Sequence, residues 1–156
     1  MVEIYEKKIT VGPESIDVLG HVNNREYFRW MEEVACEHAD ILGWGLKTCQ
    51  ARKEAWVARE HWVEFLRPTF EGDVLTIYTW VEKNHGSRCF RRYAMKKDRK
   101  IACSAATEWA YISLVTGHAL DIPKEVCEGF PAVPQDDPRL VELGIARPVR
   151  FRPEWL

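Results

Sequence analysis

The sequence predicts an α+β domain, an antiparallel sheet of about five or six strands with one long helix. Three observations carry this. Residues 25–42 hold the chain's only long run of apolar side chains at three- and four-residue spacing. The segments after that run alternate with a period of two and are separated by short turns. The chain has 156 residues and 46% hydrophobic content, which suits one core rather than two.

Residues 3–11 read as a first strand, and Gly12-Pro13 breaks it. A polar loop follows. Tyr27, Phe28, Met31, Val34, Ala35, His38, Ile41 and Leu42 then mark a helix of about five turns, ended by Gly43 and Gly45. In 56–66, Val57, His61, Val63 and Phe65 read as one strand face. "RPTFEGD" is a turn, 74–83 is a strand, and "NHG" (84–86) is a second turn. Residues 88–97 and 101–114 are the last two strands, joined through the charged tip "KKDRK". Consecutive strands with short turns pair antiparallel. "IPKEVCEGF" (122–130) reads as one helical turn.

Residues 131–156 hold five of the eight prolines and read as a proline-rich C-terminal extension to a domain spanning 1–130. Several strands are apolar on both faces, and one helix covers one face only. The other face, or an edge, is therefore expected to meet a second subunit.

Composition excludes several classes. The net charge of −2 gives no field for nucleic acid or a membrane surface. No apolar run reaches the roughly 18 residues of a membrane span, and "MVEIYEKKI" lacks a signal-peptide core, so a cytoplasmic protein is expected. Five cysteines form no CxxC pair and read as buried, reduced thiols. The five histidines show no ligand pair, so no metal or other cofactor is expected.

The stretch "DVLGHVNN" (17–24) is the candidate site. Asn23 or Asn24 can cap the helix, and Asp17 and His21 can be turn residues. Capping explains one asparagine but not the whole set. A helix N-terminus carries unpaired N–H groups and a partial positive charge. Aimed at a carbonyl, it stabilises a developing oxyanion. A carboxylate on the loop leading in, Asp17, can attack the same carbon or activate a water. That is an acyl-transfer site without Ser or Cys.

The pattern Asp17, Gly20, His21, Val22, Asn23, Asn24, Tyr27, with Glu32 on the helix and "VEFLRPTFEGDVLTI" after it, resembles the hot-dog-fold thioesterases of the 4-hydroxybenzoyl-CoA thioesterase type. "TGHALDIP" is similar to that family's ending. The resemblance implies a sheet wrapped around the helix, a homodimer or dimer of dimers with paired sites, and hydrolysis of an acyl-CoA. It implies Asp17 as nucleophile or general base and the Asn24 backbone N–H as oxyanion donor. His21 and Asn23 would shape the loop or touch substrate, and Tyr27 would line the pocket or pack beneath it. A departure is Leu19, where plant-type acyl-carrier-protein thioesterases carry Asn. The alternatives are an acyl-carrier-protein thioesterase and a non-catalytic acyl-CoA-binding protein.

"RCFRRYAMKKDRK" (88–100) holds seven basic residues and one acid. It reads as a lysine-guarded, solvated strand and hairpin tip, with Arg88 a candidate grip on CoA phosphate. His38 and His61 read as core histidines.

Overall fold

The computed structural model describes residues 1–156. Five strands account for the alternating segments: β1 (Ile4–Thr10), β2 (Glu54–Phe65), β3 (Val74–His85), β4 (Arg88–Lys97) and β5 (Lys100–Ser113). They form one antiparallel sheet in the order β1-β3-β4-β5-β2. The long helix α1 (Asn24–Ile41) lies where the spacing predicts it. Asn23 caps it, its Oδ1 accepting from the Arg25 N–H at 3.1 Å. A second helix, α2 (Leu46–Arg52), follows at once and was not legible. Its seven residues are too few to show a period. α3 (Lys124–Gly129) matches the expected turn after the sheet, and α4 (Pro138–Glu142) lies in the extension. No helix is long and apolar enough to cross a membrane.

The main core is packed between α1 and one sheet face. Tyr27, Trp30, Met31 and Val34 meet Leu75, Ile77, Tyr93, Met95 and Ala105, all buried. Register fixes which residues share that face: Ile77 pairs with Met95, Thr79 with Tyr93 and Val81 with Arg91.

Two expectations need correction here. The far face does not await a second subunit. Residues 131–156 fold across it, so that Val133, Leu140 and Ile145 pack on Tyr78, Trp80 and Ala94, and Val149 packs on Phe90 and Ala106. Prolines keep this segment out of the sheet's ladder, but its apolar residues still need a surface to cover. The other alternative, an edge, stays open: the sheet ends in β1 and in β2, the longer of the two at 12 residues.

The second correction lies in β2 itself. A bulge between Ala58 and Glu60 reverses the alternation. Trp56 and Ala58 face α1 before it, and His61, Val63 and Phe65 after it. Val57 and His61 therefore do not share a face. His61 is an exposed histidine whose Nδ1 bonds the Thr107 hydroxyl at 2.7 Å, rather than a core one.

Candidate active site

The loop before α1 is folded tightly on itself. Ile16 and Val22 form an isolated antiparallel bridge, and the Asp17 N–H donates to the His21 carbonyl at 2.8 Å. Gly20 turns the chain at φ +81°, where a side chain would be strained. The loop is pinned outward to the β2–β3 connection through the Val22 N–H and the Thr69 carbonyl, 2.9 Å. It is pinned inward to the helix by Glu26, which sequence reasoning missed. This buried carboxylate accepts from the Ser15 hydroxyl at 2.6 Å and from the Arg29 guanidinium at 3.0 and 3.1 Å. Those bonds, Arg29's first, hold the Glu26 carboxyl below its ordinary pKa. Its only sequence signal was an acid in the first helical turn, which the helix dipole alone would explain.

Asp17 is half-buried at the base of this loop. Its Oδ1 accepts from the Leu19 N–H at 2.8 Å, and its Oδ2 has no partner. The Asn24 N–H, first in α1, also has none; the cap bond goes to Arg25 and the next turn bond to Glu26. One carboxylate oxygen and one helix N-terminal donor are thus unengaged at the same loop. Val18 and Leu19, at the tip, stand in solvent.

The other expected residues fall in different places. His21 is exposed, with its ring edge on Phe70 at 5.3 Å. Asn23 spends its side chain on the cap. Tyr27 is buried beneath the loop, its hydroxyl 2.5 Å from Thr69 Oγ1. Arg88 does not join them within one chain. It starts β4, on the face away from α1, while the loop lies near the strand's other end, about 30 Å along at 3.3 Å per residue. Glu32 is exposed on α1.

At the C-terminal end of α1 lies an apolar pocket of about 370 Å³. Ala35 and Ala39 leave it room on the helix, and Trp44, Trp56, Trp109 and Phe130 wall it. Trp44 packs against Gly129, where an added Cβ would sit 1.9 Å from the indole Nε1. Arg91 is part of the lining. The "RCFRRYAM" stretch is therefore not a solvated strand: Arg91 and Arg92 are 4% and 2% exposed. The cysteines also depart from the buried reading, since only Cys89 and Cys103 are buried, and Cys36 is exposed at the pocket rim. No group of three or more His, Cys, Asp or Glu side chains is placed to hold a metal ion.

Comparison with known proteins agrees with this architecture. The profile of the Thioesterase-like superfamily matches residues 11–130. A hypothetical protein from Aquifex aeolicus superposes with a TM-score of 0.74 at 24% identity, covering 82% of this chain and 98% of its own. A 1,4-dihydroxy-2-naphthoyl-CoA thioesterase from Synechocystis gives 0.74 at 15% identity, covering 81% and 95%. An acyl-ACP thioesterase from Bacteroides thetaiotaomicron gives 0.72 at 22% identity, covering 76% of this chain and 49% of that one. No curated protein matches the chain in sequence.

Proposed function

The chain belongs to the Thioesterase-like superfamily, and from that premise we propose that it hydrolyses acyl-CoA thioesters with Asp17 as the catalytic carboxylate. The observation that supports this most is the pairing of an unengaged Asp17 oxygen with an unengaged Asn24 N–H on one pinned loop. Asp17 either attacks the thioester carbon, giving a mixed anhydride that water then opens, or takes a proton from the attacking water. In both routes the carbonyl oxygen becomes an oxyanion that the Asn24 N–H and the helix terminus stabilise. The C–S bond then breaks and CoA leaves as its thiolate, which takes up a proton. No metal or prosthetic group enters this scheme.

The reading includes a dimer joined through the open β2 edges. A two-fold at a sheet edge pairs the strands antiparallel. The N-terminal part of α1 lies by the end of β2, with Phe28 on His61 and Tyr27 on Phe65. The apolar pocket lies by its start, at Ala55 and Trp56. Within one chain these sites are about 22 Å apart along the helix, at 1.5 Å per residue. Antiparallel pairing brings the Asp17 loop of one copy to the pocket end of the other, so each site would draw on two chains.

The test is thiol release from short, medium, long and aromatic acyl-CoAs by wild type and Asp17→Asn, with mass in solution measured for both. Turnover by a wild-type dimer that collapses in the variant supports the reading. Turnover that survives in Asp17→Asn removes Asp17 from the mechanism. Hydrolysis only of carrier-protein-bound acyl groups moves the substrate to that class.

A further inference from the structure

The mechanism makes no use of Arg91, yet its guanidinium is the one cation on the wall of the apolar pocket. Burying a cation is costly unless an anion or a full set of acceptors replaces its water. Arg91 has neither. Nη1 donates to His38 Nδ1 and to Thr79 Oγ1, both at 3.0 Å. His38 is no counter-charge: its Nε2 is 2.6 Å from the Val2 carbonyl, so the proton sits there and Nδ1 offers a neutral lone pair. The sole acid on the lining, Asp40, is exposed and forms no ion pair.

Three N–H groups remain, on Nε and Nη2, with no acceptor in the protein. Neither atom is among the sealed polar atoms that lack a partner, so both are reachable. They form one edge of the planar guanidinium, two nearly parallel N–H bonds with the spacing of a carboxylate's two oxygens. His38 and Thr79 hold the opposite corner, which fixes the plane, and the Phe130 ring lies 6.0 Å from Cζ. The surrounding aromatic walls make the site less polar than water, which strengthens any charge pairing made there.

We propose that Arg91 grips a carboxylate at the far end of the acyl group, so that the preferred substrates are thioesters of acids carrying a second carboxylate across an apolar spacer. This rests on the thioesterase reading for its substrate, but the Arg91 site itself can be tested without hydrolysis. The thioester end reaches Asp17 of the facing copy, and the spacer lies against Trp44, Trp56 and Trp109.

Two measurements decide it. The first compares kcat/KM for suberoyl-CoA and for octanoyl-CoA, equal in chain length, in wild type, Arg91→Gln and Arg91→Lys. Wild type should favour suberoyl-CoA by about tenfold or more. Arg91→Gln should lose that preference and Arg91→Lys should keep part of it. Equal turnover of both esters by wild type, or a preference that persists in Arg91→Gln, overturns the proposal. The second follows pocket tryptophan fluorescence on adding free octanoate or octanol. Octanoate should perturb wild type at concentrations where octanol does not, and Arg91→Gln should abolish the difference. Octanoate and octanol acting alike on wild type overturns the proposal, even if the variants fail to fold. Absent hydrolysis of every ester with octanoate binding intact would sink the thioesterase reading alone.

Discussion

Arg91 and Arg92 are consecutive residues of β4 that face opposite sides of the sheet, and both are buried. Under the C-terminal extension Arg92 has backbone carbonyls for partners and the Glu82 carboxylate nearby. Nη2 donates to the Arg147 carbonyl at 2.7 Å, Nε to the Ala105 carbonyl at 3.4 Å, and the guanidinium lies 5.5 Å from the Trp80 ring. Burial pulls its pKa down to about 10, with Glu82 opposing. Under α1, Arg91 has only the neutral His38 ring and the Thr79 hydroxyl as partners, and it borders the apolar pocket. The same side chain therefore meets a counter-charge in one layer and a cavity in the other. In the function proposed above, the extension's layer serves stability, whereas the helix layer carries the recognition and the chemistry.

If that division holds, the two layers respond to substitution in different observables. The largest effect belongs to Asp17→Asn, which should lower kcat by about 10³-fold or more with little change in Tm, read from thiol release and thermal melting. Next, Leu140→Ala empties a position sealed between the extension and Trp80 and should cost about 3 kcal/mol of unfolding free energy. Its kcat per folded molecule should hold. A loss of kcat as deep as the loss of stability would break the comparison.

His38 sharpens it. Burial, then the Arg91 charge, lowers its folded pKa to about 4 from 6.5. The unfolded chain binds the proton more readily between those values, so stability is complete above pH 6.5 and falls as the pH drops toward 4. The loss from pH 6.5 to 5 should be roughly 1.5 kcal/mol, and His38→Gln should flatten that part of the denaturation profile. The smallest effect is Glu26→Gln. Losing the charge that Arg29 and Ser15 hold should cost about 1 kcal/mol and reduce kcat several-fold by loosening the Asp17 loop. An unchanged kcat would show that the loop needs no such anchor.

Much of this layout was legible because each element had one dominant period. α1 showed helical spacing, and the strands after it alternated between Gly- and Pro-marked turns. The loop motif was legible because Asp17, His21, Asn23 and Asn24 lie close together in sequence. Arg91 was not, because a basic strand reads as solvated unless both layers that cover it are known, and the covering layer on the far side is a Pro-rich segment without a period. His61 was misplaced for a local reason: one extra residue at the β2 bulge shifts every later side chain to the other face. Glu26 sat in plain view, but its importance comes from Ser15, which only the folded loop brings to it.

Gly129 gives the pocket wall an evolutionary handle. The Trp44 indole lies where a methyl group at position 129 would stand. Gly to Ala is a single-nucleotide change, and here it would displace an aromatic wall rather than merely stiffen a helix end. A lineage could thereby change the shape of the pocket in one mutational step, with Asp17 and Asn24 untouched at the other end of α1. For an engineer, the same position offers a way to vary what the pocket admits without touching the Asp17 loop.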